Sequence, residues 1–307
     1  MKRRKIALFL TILTMVLLIL DSRNTVRFAA VGIDLCIRTV IPSLFPFFVL
    51  SIYLTGNLGG SGVLPVLISG FLGGYPTGAQ AAAQLWRTGR ISRDQGNRLL
   101  LFCSQAGPSF LFGMVAAQFP ENSYLWKLWA VQILSALCVF LLIPRDTYCK
   151  NIPADPLQLS LTAAMQRALS AMVRVCGWVV IFRVILGYLS ALHLSESVTI
   201  LLGGILELAN GCMELKRAES LELRFFLGSI MLNFGGICVL LQTASVAEGL
   251  DLRYYLLGKL LQTGFCVLIS LAFLGHWGCM IPILLIFLLF HCPFSAKKGS
   301  IPAEIGV

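Results

Sequence analysis

Ser69-Gly70-Phe71-Leu72-Gly73-Gly74-Tyr75-Pro76-Thr77-Gly78-Ala79 sits in the middle of an apolar run from Val63 to Trp86. Backbone groups in lipid must satisfy one another, so a helix breaks at membrane depth only where protein or a wet cavity takes over the freed N–H and C=O groups. A second run, Val198 to Cys212, is cut in the same manner at Glu207-Leu208-Ala209-Asn210-Gly211. Two interrupted segments in corresponding positions of two halves point to a transporter-type binding site.

Composition agrees with a lipid environment. The 307 residues are 57% hydrophobic and 12% charged, with a mean hydropathy of +0.84, which excludes a water-soluble domain. A helix needs roughly 20 apolar residues to cross the hydrocarbon core. Beyond the two broken runs, apolar segments extend over Ile6 to Leu20, Val31 to Thr55, Leu99 to Phe119, Leu125 to Ile143, Ala168 to Leu192, Leu223 to Val246, Tyr254 to Leu274 and Trp277 to His291. The first follows Lys2-Arg3-Arg4-Lys5 and reads as an uncleaved helix rather than a signal peptide, because Asp21-Ser22-Arg23-Asn24 supplies no small-residue cleavage site.

Short cytoplasmic loops carry the excess Lys and Arg. With the N-terminus inside and every segment crossing, the loop with Arg87, Arg90, Arg93 and Arg98 falls outside, against the rule. If Val63 to Trp86 dips in and returns, that loop lies inside, as do Arg145, Lys150 and Arg167. A second re-entrant hairpin at Val198 to Cys212 brings Lys297-Lys298 inside and leaves the charge-mixed loop with Glu214, Lys216, Arg217, Glu219 and Glu222 outside. An odd number of crossings then separates the halves, so they insert upside down relative to each other.

The expected fold is therefore an all-α polytopic membrane protein with two inverted repeats and re-entrant or broken helical hairpins, transporter-like in type. Its parts are an N-terminal transmembrane helix and first external loop (1–30), a first membrane repeat (31–143), a cytoplasmic connecting loop (144–167), a second repeat (168–275), and a last transmembrane helix with the tail (276–307). Both termini are expected in the cytoplasm.

Freed N–H groups at a half-helix start favour a carboxylate or phosphate. Gly73, Gly74 and Gly78 let backbone approach a ligand, Pro76 suits the opening of the second half-helix, Thr77 adds a hydroxyl, and Tyr75 is a candidate with them. The same residues can also simply pack a tight hairpin, as small residues do in membranes. Glu207, with Asn210 and Gly211, is an ionisable group at membrane depth and marks a functional site with a partner to be named. Arg174 and Arg183 are the candidate partners. Ser104, Gln105, Asn233 and Gln242 supply neutral polar groups for a cavity or for interhelical hydrogen bonds. Lys259 reads as another buried cation, with snorkelling of its long stem to the interface as the alternative.

Other chemistry is not indicated. The ten cysteines are scattered without Cys-x-x-Cys, and His193, His276 and His291 lack metal-ligand spacing, so no metal and no cofactor is expected. There is no His-Glu-x-x-His, no Gly-x-Ser-x-Gly, no paired intramembrane aspartates and no nucleotide-binding loop, so an enzyme is not expected and flux is passive or ion-coupled. The net charge of +10 is topogenic and attracted to the lipid bilayer rather than to nucleic acid. Homo-oligomerisation within the membrane is left open.

Four blocks, in order, resemble one family. Ser69-to-Ala79 is similar to the Ser-Gly-Tyr-Pro-x-Gly-Ala signature of the YlbJ, or stage V sporulation protein V, family of sporulation integral membrane proteins. Cys103-Ser104-Gln105-Ala106-Gly107-Pro108, Leu206-Glu207-Leu208-Ala209-Asn210-Gly211-Cys212 and Asn233-Phe234-Gly235-Gly236 with Gln242 resemble its further blocks, over roughly Val31 to Gln262. The resemblance implies a nucleoside-recognition (Gate) type domain in the bacterial cell membrane, on sporulation the outer forespore membrane. It also implies movement of dipicolinic acid, a small carboxylate anion, from the mother cell toward the forespore. A non-transporting sporulation or membrane-assembly role, and transport of a nucleoside-type or other small metabolite, are the alternatives.

Overall fold

Apolar runs, several of them opened by Ser, Asp or Pro, give helices and, among the described residues, no strand. The computed structural model describes residues 2–58, 63–143, 158–190 and 195–291. Arg145, Lys150, His193 and Lys297-Lys298 lie outside the described residues, as does most of the expected connecting loop.

Helix α1 (Lys2–Leu20) turns at Asp21 into α2 (Ser22–Asn57), which is continuous apart from a π-helical turn at Cys36–Val40. The residues before Val31, read as part of a first external loop, are thus helical. Phe28 explains why: its ring lies edge-on to Tyr188 at 5.4 Å between centroids, and Thr25 bonds the Tyr188 hydroxyl at 2.7 Å, so this turn is packed against a neighbouring helix. The first interrupted hairpin is α3 (Val63–Gly73) and α4 (Thr77–Arg87). Ser92 and Gln95 form a capping box that starts α5 (Arg93–Leu99), and Pro108 opens α6 (Pro108–Gly113). Helix α7 (Asn122–Leu141) completes the first half.

The second half repeats this order. Ser160 caps α8 (Leu161–Leu189), which is followed by the hairpin α9 (Glu196–Leu206) and α10 (Leu208–Glu214). Ser220 caps α11 (Leu221–Phe234); a left-handed Gly235 separates it from α12 (Gly236–Val246). Asp251 caps α13 (Leu252–Phe273), and α14 (Ile281–His291) follows. Each half is therefore a long helix, a broken hairpin, a broken segment and an unbroken helix. Among the described residues, five spans are long and apolar enough to cross a membrane, Ser22–Asn57, Asn122–Leu141, Leu161–Leu189, Leu221–Val246 and Leu252–Phe273. The fold is that of an all-α polytopic membrane protein.

Both hairpins return on themselves. Helix α4 lies against α3 with Gly78 on Gly70, and α10 lies against α9 with Gly211 on Gly203 and Gly204. Their open ends sit at opposite ends of α8. Thr55 at the end of α2, with Pro65 and Thr88 at the two ends of the first hairpin, borders one small cavity, and the Asn57 amide donates to the Leu159 carbonyl at 2.9 Å. At the other end of α8, Arg217 beyond the second hairpin pairs with Glu196 at its start, at 3.0 Å. At about 1.5 Å per residue the 29 residues of α8 extend roughly 44 Å, enough to cross a bilayer.

Two expected segments are not continuous helices. Leu99 to Phe119 unwinds between α5 and α6, because Pro108 can neither donate to the Ser104 carbonyl nor allow Gly107 a helical conformation. Leu223 to Val246 is likewise interrupted, at Gly235, where φ is +84°.

Candidate functional site

Four interruptions meet in the interior: the tip of the first hairpin, the unwound segment 103–107, the tip of the second hairpin, and Gly235-Gly236. A Cβ at Gly74 would contact the Gly107 nitrogen at 3.0 Å; one at Gly235 would contact the Tyr75 ring at 3.1 Å; one at Gly236 would meet the Gly204 carbonyl at 2.9 Å. Gly70 and Gly78 leave space for the Cys103 carbonyl, which a Cβ at either position would overlap. The glycines of the first motif thus serve close backbone packing.

Each break frees carbonyls, and side chains take them up. Gln105 Nε2 donates to the Phe102 carbonyl at 2.8 Å, Gln132 Nε2 donates to that of Ala106 at 2.8 Å, and the Tyr75 hydroxyl donates to that of Leu232 at 2.8 Å. Lys259 donates to the Ser104 carbonyl, and also to the Tyr75 hydroxyl and Gln262 Oε1, each at 3.1 Å. Gln262 Nε2 reaches Gln105 Oε1 at 2.6 Å and Asn233 Oδ1 at 2.9 Å. Ser104, Gln105 and Asn233 are thus brought together, bonded within this network. Lys259 does not snorkel: it is 2% exposed. Its place at mid-helix in α13, with Gln262 three residues on, is the sequence signal for this network.

Thr77 is also occupied internally, its hydroxyl donating to the carbonyls of Ser69 at 2.6 Å and Gly74 at 2.7 Å. In the second hairpin Glu207 caps α10. Its carboxylate accepts from the Ala209 N–H at 3.0 Å, the Asn210 N–H at 2.6 Å and the Asn210 amide at 2.8 Å. The anion position expected for a ligand at this half-helix start is filled by the protein's own carboxylate. Neither candidate arginine forms an ion pair with it: Arg183 reaches Asn210 Oδ1 by a long 3.5 Å contact, and Arg174 faces elsewhere. The Asn210 amide is the link between the buried carboxylate and Arg183.

Tyr75, Glu207 and Gln242 line a central cavity of about 40 Å³, with Ala106, Gly107 and Val175. Gly73, Pro76, Gly78 and Gly211 are not in its wall. Beyond it lies a much larger cavity of about 820 Å³, lined by Gln80, Gln84, Arg87, Arg167, Arg174 and Glu248 among others. The same two helices line both: α8 carries Arg174 to the larger and Val175 to the smaller, and α12 carries Val246 to the larger and Gln242 to the smaller. Three arginines face one glutamate there, and Arg87 also donates to the Glu248 carbonyl at 3.0 Å. Of this vestibule only Arg174 stands out from sequence. Gln80, Gln84 and Arg87 share one face of α4 by their spacing, but nothing in the sequence shows that α8 covers it.

Fold and interior together define a polytopic helical membrane protein with two fold-back hairpins whose tips meet at a polar centre. Among known proteins, the chain is 26% identical over 298 residues to the sporulation integral membrane protein YlbJ of Bacillus subtilis (strain 168), covering 75% of this chain and 73% of that protein. This similarity bears out the family resemblance carried by the four sequence blocks. No family model matches the chain, and no solved structure matches it.

Proposed function

We propose that the protein is a membrane carrier of small carboxylate anions, with dipicolinate as the substrate the family resemblance implies. The observation that carries this reading is the vestibule of about 820 Å³ lined by Arg87, Arg167 and Arg174, on the same two helices, α8 and α12, that line the small cavity at the hairpin tips. Arginine guanidinium groups match planar carboxylates bidentately, and a recess with three arginines against one glutamate carries a net positive lining that attracts anions. Two inverted repeats account for the recurring element order and for hairpins that open at opposite ends of α8. By the positive-inside rule, the Arg87-to-Arg98 loop, the vestibule beside it and both termini are cytoplasmic. Substrate then enters from the cytoplasm, the direction required of a mother-cell exporter.

The central cavity of about 40 Å³ has room for little more than a water molecule. In this conformation the vestibule is open and the centre closed, and passage requires the hairpin tips to separate from 103–107. The same closed centre favours the second reading, a non-transporting membrane-assembly protein. Binding separates the two. Thermal unfolding of the purified protein should shift upward, saturably, with dipicolinate and less with citrate or a nucleoside. Absence of a shift with all of these, from folded protein, contradicts the carrier reading.

A further inference from the structure

Lys259 is fully buried, and among the described residues no carboxylate pairs with it. Its surroundings fix its charge by hydrogen-bond accounting. The Tyr75 hydroxyl gives its proton to the Leu232 carbonyl, so only lone pairs face the lysine; the Ser104 carbonyl and Gln262 Oε1 are acceptors as well. Three acceptors around one nitrogen require three N–H donors, which an ammonium has and a neutral amine does not. The ring faces of Tyr75, at 4.8 Å, and Tyr255, at 6.0 Å, add the attraction of aromatic faces for a cation. The Gln262 orientation follows. Its oxygen turns to Lys259, leaving Nε2 to donate to Gln105 and Asn233.

Remove the ammonium in thought and what is left is a carbonyl freed by a helix break, a tyrosine hydroxyl and an amide oxygen converging on one point. Such neutral oxygen shells hold dehydrated monovalent cations. We infer that Lys259 is a tethered cation occupying a monovalent-cation site formed by Ser104 O, Tyr75 OH and Gln262 Oε1, so that no alkali-metal ion is needed where the broken helices of the two halves join. The site stands on this geometry; its bearing on flux rests on the carrier reading.

Lys259→Ala opens the site. Its melting temperature in detergent should fall in choline chloride and recover saturably in sodium, potassium or methylammonium chloride at equal ionic strength. Wild type and Lys259→Met, whose methyl fills the space, should show no cation-specific recovery, and Lys259→Met should be less stable than wild type. If Lys259→Ala does not survive in choline, the same comparison is read as yield of folded, monodisperse protein extracted in sodium against choline. The inference is overturned if no cation restores Lys259→Ala, or if Lys259→Met matches wild type in stability. Liposome flux separates this from the carrier reading: cation rescue without flux of any substrate contradicts the carrier alone, whereas wild-type flux with no rescue contradicts the tethered cation alone.

Discussion

The hydroxyl of Tyr75, at the tip of the first hairpin, donates at 2.8 Å to the carbonyl of Leu232, freed by the left-handed turn at Gly235 in the second half. A break in one half of the chain is thus satisfied by the broken tip of the other. Replacing Tyr75 by Phe leaves that buried carbonyl and the Lys259 ammonium each without one partner. The expected cost is about 1–3 kcal/mol, read as a lowered melting temperature in detergent. Unchanged stability would show that water or another donor serves Leu232.

Glu207 holds the start of α10 by accepting from Ala209 and Asn210. Glu207→Ala removes the cap and should cost roughly 1–3 kcal/mol, whereas Glu207→Gln, which keeps one acceptor oxygen, should cost less. Denaturation midpoints of the two variants test the order. Equal loss in both would mean the negative charge, not the cap, is what matters.

Gly78 faces the Cys103 carbonyl, and an added methyl there overlaps backbone. Gly78→Ala should reduce the yield of folded protein sharply, since overpacking typically costs about 1–3 kcal/mol and backbone cannot turn aside as a side chain does. Gly177→Ala, in open space on α8, should be neutral or stabilising by about 0.5–1 kcal/mol.

The proposed topology predicts that Asp94 and Glu219 emerge on opposite sides of the membrane, with Asp94 inside. Single cysteines at these positions should label with an impermeant maleimide from opposite sides of oriented vesicles. Labelling of Asp94→Cys from outside would refute the re-entrant first hairpin.

Arg174 lines the vestibule, one residue before Val175 of the central cavity. Arg174→Gln should raise the KM for a carboxylate substrate by about tenfold, the equivalent of one charge-assisted bond, with a smaller effect on kcat. Added salt should weaken wild-type uptake in the same sense.

The breaks differ in how legible they are from sequence. The hairpins at Gly74 and Glu207 stand out, because an apolar run rarely holds Gly with Pro, or a lone carboxylate, unless the helix stops there. The unwinding at 103–107 is hidden: Ser104, Gln105 and Ala106 suit a helix, and only the joint effect of Gly107 and Pro108 stops it. Gly235 stands in the sequence only as part of a family-like block, and its positive φ is what reveals the turn. Helix periodicity does not join Lys259 to Ser104 or place Arg174 and Gln80 on one cavity, since both depend on how distant helices stack. The helix that begins at Ser22 escapes a hydropathy reading because Arg23, Asn24 and Arg27 lower the local value, whereas Phe28 against Tyr188 decides the matter by packing.

The most direct measurement is uptake of labelled dipicolinate by liposomes containing the purified protein, with citrate and a nucleoside as comparison substrates and Arg174→Gln and Glu207→Gln at equal incorporation. The account predicts saturable flux selective for dipicolinate and reduced in both variants. Absence of flux for all three substrates, from protein with an intact melting transition, would contradict it.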